Sequence, residues 1–381
     1  MEFVRLARAP GANVSELCRR FGVSRSNGYK WLARYMAEGP GGLQERSRRP
    51  HESPGRTPEE LQARVLEVRS AHPAWGGRKI RKVLERDGIE APAASTITGI
   101  LRRAGALHGP GAGEPRGWTR FEHARPNDLW QMDFKGHFAL GQGRCHPLTV
   151  LDDHSRYSLE IGACGDERTA TVKDRLTLAF RRYGLPWRML ADNGPPWGTS
   201  GSPQHHTPLT VWLLDLGVEV SHGRPFHPQT QGKDERFHRT LTAEVLDGRS
   251  FKTIQEAQAA FDAWREIYNT RRPHEGIGMA VPSDRYELSP RPMPDTIAPP
   301  EYEPQAHVRK VADTGWISFK GREINCPKAF AGRRLALRAT DTDGIFDLCY
   351  RSHLVAQLDL RQNITQTVLD VPERMSSISP V

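Results

Sequence analysis

Three acidic residues stand in three separate settings that phosphate chemistry could use. Asp133 falls in LWQMDF, Asp192 in MLADNG and Glu235 in HPQTQGKDERFHRTL. Phosphodiester chemistry calls for divalent cations, and Mg2+ or Mn2+ prefers carboxylate oxygens. Two such ions about 4 Å apart can activate an attacking oxygen and stabilise a leaving one. Three carboxylates drawn together repel one another unless cations neutralise them, so the set is costly alone and well matched to metal. Each residue also has a plainer reading. An Asp before Asn-Gly commonly serves a turn, and a Glu in the first turn of a helix favours the helix dipole. The three together, on strand ends and a helix start, point to a site.

The choice of the third acid is open to a rival, because Asp234 adjoins Glu235. Helical spacing puts Phe237, Leu241 and Val245 on the buried face, with Asp234 close to it. Glu235 shares a face with Arg239 and Thr242, which can offer a carboxylate to metal and a guanidinium to phosphate. Glu235 is therefore preferred. Forty-two residues separate Asp192 from Glu235, and WGTSGSPQHHT reads as a loop insertion that accounts for part of that length.

The elements that must position these acids follow from the pattern. The chain has 381 residues, enough for about two to four domains. Lys and Arg number 54 against 45 Asp and Glu, a net charge of +9 that suits nucleic acid or another acidic partner. MEFVRLARAPGANVSEL lacks an apolar core of signal-peptide length. No stretch approaches the roughly 18 apolar residues of a membrane span. The five scattered cysteines never form CxxC, which predicts reduced, buried thiols in a cytosolic protein and no zinc knuckle.

Residues 12–36 read as helix, turn, helix. Ser15 and Ser24 are the predicted caps, the turn falls at Gly22-Val23, and Leu17, Phe21, Val23 and Leu32 form the apolar face. Arg25, Ser26, Asn27, Tyr29 and Lys30 crowd the start of the second helix, where a recognition helix meets DNA. A second, Arg- and Lys-rich three-helix module follows, with Ser95 expected to cap its last helix. The middle reads as three antiparallel strands, a helix, a strand, a helix, a short strand and two long helices, hence an α/β layer with helices on both faces. After the proline-rich RPMPDTIAPPEYEPQ, alternating apolar and polar residues predict a small all-β barrel. The fold class is thus multidomain, and the expected divisions are 1–50, a helix-turn-helix domain; 51–112, a second one plus linker; 113–290, the α/β core; and 291–381, linker and barrel.

Lesser candidates surround the acids. Asp152, Asp153 and His154 read as a turn with local hydrogen bonds. His227, Gln229 and Gln231 could shape the site. Lys233, Arg236, His238 and Arg239 are candidate DNA contacts, and Arg271, Arg272 and His274 candidate grips on backbone phosphate. The histidines show no metal-ligand spacing, and His205-His206 reads as loop.

WQMDFKGHF, LTVLDDHSRY, DNGPPWG, HPQTQGKDERFHRTL and YNTRRPHEGIGMAVPSDRY, spanning about residues 125–287, resemble the cores of DDE-type transposases and retroviral integrases. They are most similar to bacterial insertion-sequence transposases with an integrase-type core. The resemblance implies a ribonuclease H-like core in which Asp133, Asp192 and Glu235 are the catalytic triad and the ligands of two Mg2+ or Mn2+ ions. It implies double-stranded DNA partners (terminal inverted repeats and target DNA), a homo-oligomer acting on paired ends, and residence in the bacterial cytoplasm at the nucleoid. The implied reaction is cleavage at the element end by water, then attack of the new 3′-hydroxyl on target DNA. A catalytically inactive DNA-binding regulator of a mobile element remains the alternative. A ribonuclease H or junction-resolving nuclease would share the core without needing two helix-turn-helix modules.

Overall fold

The computed structural model describes residues 1–45, 55–107, 122–198, 206–222 and 232–361, with the backbone of 366–367. It forms two compact units, Met1–Pro58 and Glu59–Val381.

In the first unit three helices, α1 (Glu2–Ala7), α2 (Val14–Arg20) and α3 (Arg25–Glu38), close on Val4, Ala7 and Cys18. Ser24 caps α3 by accepting from the Asn27 N–H at 3.3 Å. The cap of α2 is Asn13, not Ser15: its side chain accepts from the N–H groups of Ser15 and Glu16 at 3.1 and 3.2 Å. An Asn one residue before the helix takes the donors that Ser15, already inside the first turn, cannot. Gly22 turns the chain at φ +64°. Gly28 lets α3 cross α2 closely, since a Cβ there would collide with Cys18 Sγ and come within 3.0 Å of the Phe3 ring. The apolar face is thus smaller than expected, and Phe21 lies exposed at its edge, ring to ring with Phe3.

The second unit begins with α4 (Glu59–Ala71), α5 (Gly77–Arg86) and α6 (Ala94–Arg103), packed on Val65, Trp75, Ile80, Leu84, Ile97 and Leu101. Helix α6 starts at Ala94 with no side-chain cap, so Ser95 lies inside the helix and not at its cap. This bundle is tied to the rest of its unit by Arg86–Asp284 at 2.6 Å and Arg271–Asp87 at 3.5 Å.

The central sheet comprises β1 (Leu129–Phe134), β2 (Phe138–Ala139), β3 (Arg144–Asp152), β4 (Ser158–Cys164), β5 (Arg188–Ala191) and β6 (Glu219–His222). Its order is β4-β3-β1-β5-β6, antiparallel from β4 to β1 and parallel from β1 to β6, with β2 paired to the start of β3. Alternation along the strands gives the sheet two apolar faces. Trp130, Met132, Leu148 and Val150 pack under α7 (Thr169–Tyr183) and α8 (Pro208–Asp215). Cys145, Leu151, Ile161 and Ala163 pack under α9 (Gly232–Leu241) and α10 (Ile254–Thr270). The expected α/β layer with helices on both faces is present. All five cysteines are buried and unpaired, and among the described residues no helix is long and apolar enough to cross a membrane.

The C-terminal region is β-rich, but its described strands do not close into a barrel. They form a four-stranded sheet of β7 (His307–Lys310), β10 (Arg334–Ala339), β11 (Ile345–Tyr350) and β12 (His353–Asp359), and a three-stranded sheet of β8 (Trp316–Phe319), β9 (Arg322–Asn325) and β13 (Gln366–Thr367). Pro327 and the short helical turn Lys328–Phe330 follow β9, so it cannot run on into pairing with β10. The two sheets share one core around Ile317, Phe319, Ile324, Leu335, Leu348 and Tyr350, which Val211 and Leu214 of α8 join. Next to them Asp215 is buried, accepting from the Tyr350 hydroxyl and paired with Arg333 at 2.7 Å.

Candidate active site

Asp133 sits near the end of β1, opposite Thr149 of β3. Its neighbour on the same face, Gln131, pairs with Leu151 of the α9–α10 core, so Asp133 also faces α9. The side chain keeps 25% exposure. Burial pushes its carboxyl up to about 7, and the negative charges of Asp192, Glu167 and Glu235 add to the rise against the Phe134 N–H.

Asp192 lies one residue past β5, where DNGPPWG folds into a tight loop. Its Oδ1 accepts from the Gly194 N–H at 3.1 Å, and its carbonyl accepts from His222 Nδ1 at 2.8 Å. A Cβ at Gly194 would stand 3.3 Å from Asp192 Oδ2, a tight contact that would press on the carboxylate. The buried Trp197 anchors the loop against Phe134, ring centroids 5.6 Å apart. Burial raises the Asp192 carboxyl, and Glu167 raises it further, against the Gly194 N–H.

Glu235 is exposed in the first turn of α9, while Asp234 beside it is buried. Phe237, Leu241 and Val245 form the buried face as the helical spacing predicts. Among the described residues Asp234 Oδ1 has no hydrogen-bond partner, and burial, then the charge of Asp133, lifts its carboxyl well above the ordinary range. Asp234 is the acid held in the core and Glu235 the accessible one.

The charges of Asp192 and Glu235 both bear on Asp133, yet the expectation that all three acids close on one shared ion is not met in this conformation. Among the described residues no three His, Cys, Asp or Glu side chains are close enough to hold one ion. Like charges at low dielectric keep apart when nothing neutralises them. The donor set still fits a divalent cation: a buried carboxylate whose proton affinity is raised further by the charges of Asp192 and Glu235, as that of Asp133 is, is stabilised by positive charge.

That crowding has a consequence in pH. The folded chain holds a proton on Asp133 up to about 7, whereas the unfolded chain releases it near 3.8. Between these values the native state binds more protons, so this contribution to stability is complete at low pH and lost as pH rises towards 7. In chelator, the melting temperature of the wild-type chain should fall across that window more steeply than that of Asp133→Asn. Equal slopes would exclude Asp133 as the source.

The other named residues distribute unevenly. Arg236 and Arg239 are exposed on the outer side of α9, and Arg25, Ser26, Asn27, Tyr29 and Lys30 are exposed along α3 in the first unit. Lys233 is not presented outward: its ammonium pairs with the buried carboxylate of Asp153, and burial pushes it down to about 8. Asp153 also accepts from Gln131 Nε2 at 2.6 Å and the His123 N–H at 2.9 Å. Asp152 holds Ser155 locally, as a turn residue does, but also the Asn127 N–H 25 positions earlier, and the Asp153 carboxylate takes its hydrogen bonds from residues distant in sequence, so the expected local turn gives way to a buried network. Arg272 is internal, paired with Glu244 at 3.0 Å, and His274 is half-buried with its ring against Tyr268, so neither stands ready for backbone phosphate. His206 packs on Phe330. His205, His227, Gln229, Gln231 and most of the WGTSGSPQHHT insertion lie outside the described residues.

Two groups escaped the sequence reading. Glu167, just before α7, acts on both Asp133 and Asp192 and is held by His146 Nδ1 at 2.8 Å. His238, read as a DNA contact, instead points inward from α9, its Nε2 2.8 Å from Thr149 Oγ1 and its Nδ1 3.9 Å from Asp133 Oδ2. Burial pushes its imidazole down to about 4, so the ring is neutral. Its place three residues after Glu235 was the available signal.

Comparison with known proteins agrees with this architecture. Residues 1–51 match a helix-turn-helix domain and 27–101 a homeodomain-like domain. Residues 123–228 and 216–282 match two models of the integrase core domain, and 306–366 the IS481 family transposase C-terminal domain. An insertion element IS407 protein of Burkholderia multivorans is 26% identical over 280 residues, 71% of this chain and 90% of that one. An insertion element IS476 protein of Xanthomonas euvesicatoria is 29% identical over 42% of this chain, which spans 44% of that protein. A simian T-cell lymphotropic virus intasome structure shares 16% identity over 76% of this chain and 97% of its own, with a TM-score of 0.38. With models of the integrase core domain matching its centre and the IS481 family transposase C-terminal domain behind them, the chain is similar to the insertion-sequence transposases.

Proposed function

We propose that this chain binds the terminal inverted repeats of its insertion sequence and catalyses metal-dependent DNA cleavage and strand transfer. The observation that carries the reading is the raised carboxyl of Asp133, which feels both Asp192 and Glu235. These three acids would hold two Mg2+ or Mn2+ ions, which when bound activate the attacking oxygen and stabilise the leaving one. Arg236 and Arg239 supply positive charge to DNA phosphate beside Glu235. Arg25, Ser26, Asn27, Tyr29 and Lys30 meet the repeat in the major groove.

The chemistry needs no protein nucleophile. Water adds to phosphorus at the element end and the bond to the 3′-oxygen breaks, leaving a 3′-hydroxyl. That oxygen then attacks a target phosphorus and displaces the target's own 3′-oxygen, one bond exchanged for another. Positioning and charge stabilisation suffice for such in-line displacement. A homo-oligomer would pair the ends, in the bacterial cytoplasm at the nucleoid, and the four expected divisions would separate end binding, catalysis and the C-terminal region.

The test is a strand-transfer assay with element-end DNA and a supercoiled target. Joined products are expected with Mg2+ or Mn2+ and none after chelation. DNA binding with no product would favour the inactive regulator, and nicks without joined DNA would favour a nuclease.

A further inference from the structure

We propose that His238 is a positioning residue which, through Thr149, fixes the helix bearing Glu235 against the strand bearing Asp133, and so sets the affinity of the site for its divalent ions. The inference rests on the functional reading just given and deepens it. His238 is 14% exposed, and its ring spans the gap between α9 and the sheet. The Thr149 hydroxyl lies 3.1 Å from the Asp133 carbonyl and 2.8 Å from His238 Nε2. A hydroxyl has one hydrogen, and a carbonyl can only accept, so Thr149 donates to Asp133 and its oxygen must accept from Nε2–H. In the tautomer that satisfies both contacts, Nε2 carries the hydrogen and Nδ1 presents its lone pair towards Asp133 Oδ2, 3.9 Å away.

At that distance Nδ1 and the carboxylate make no hydrogen bond. What the ring does is mechanical and electrostatic. It props α9 at one separation from β1 through a single hydrogen-bonded chain, His238 to Thr149 to the Asp133 backbone. It also adds a second lone pair beside a carboxylate, which favours a cation there. Phe237 and Leu241 pack the helix against the sheet, but apolar contacts tolerate sliding that a directed hydrogen bond does not. Glu235, three residues earlier on the same helix, takes its place from that separation.

The experiment compares Mn2+ binding by calorimetry, without DNA, with the Mn2+ dependence of strand transfer. Removing a partner that orients a metal ligand typically weakens metal affinity by about 10- to 100-fold. His238→Ala should therefore raise the Mn2+ half-saturation at least about tenfold in both measurements, with the rate at saturating Mn2+ close to wild type. His238→Gln, whose amide reaches the place of Nε2, should restore affinity. Thr149→Val should reproduce the shift, and the double variant should add nothing to it. Unchanged Mn2+ binding in His238→Ala, no rescue by Gln, or additive effects would overturn the proposal. Metal-free melting curves check folding, and Thr149→Val carries the test should His238→Ala fail to fold. If the wild type binds Mn2+ with this His238 dependence yet joins no DNA, the functional reading fails and the positioning role stands.

Discussion

Asp192→Asn is expected to abolish strand transfer while leaving binding to element ends intact. Asparagine keeps the shape of the loop, including the acceptor for the Gly194 N–H, but loses the charge that a divalent ion requires. A bound metal contributes several kcal/mol of transition-state stabilisation. At about 1.4 kcal/mol per tenfold, joined product should fall by roughly a thousandfold or more. Glu235→Gln should do the same. Asp234→Asn should not, because the Asp234 side chain is buried on the inner side of α9, where burial disfavours its charge, and an amide of the same shape fills its place. Gel-resolved strand transfer and a filter-binding assay on the same three variants give the comparison. Joining by Asp192→Asn at even a tenth of the wild-type rate would remove this acid from the chemistry, and loss only in Asp234→Asn would transfer the third role to its neighbour.

The second large effect concerns stability. Asp153 is fully buried and joined by Lys233, Gln131 and the His123 backbone. Asp153→Ala would leave the Lys233 ammonium, whose side chain is only 20% exposed, without its counter-charge. Breaking a buried pair from one side typically costs about 3–5 kcal/mol, and the variant should lose that much in chemical denaturation of the full chain. A change under about 1 kcal/mol, the level of an exposed pair, would mean that Lys233 swings out to solvent and is available to DNA after all. The same measurement therefore decides whether this lysine is a structural strut or a DNA contact.

The contrast between Lys233 and Glu235 shows which parts of the site were legible in the chain. Periodicity put Asp234 close to the buried face and Glu235 on the face of Arg239 and Thr242, because a helix of ten residues obeys its own geometry. It also delivered the sheet, since the strands from Trp130 to Cys164 carry their two-faced apolar pattern locally. Lys233 meets a carboxylate eighty positions earlier, and Arg272 meets Glu244 across a turn of the fold. Nothing in the spacing of either residue announces such a partner. His238 failed for the same reason: polar and basic surroundings suggested a surface, and only the docking of α9 on β3 turns the ring inward. The barrel failed differently. Alternation predicts strands but not which edges join, and the described strands join into two sheets that do not close on each other.

The way α8 meets the C-terminal sheets bears on how this protein can be dissected. Val211 and Leu214 complete a core whose other members lie beyond residue 310, and Asp215 depends on Tyr350 and Arg333 for its burial. A fragment trimmed to the central sheet and its helices would bare an oily stripe and strand an acid. Such a truncation should clump in solution, so the terminal strands behave as a keystone of the central sheet and its helices and not as a removable appendage.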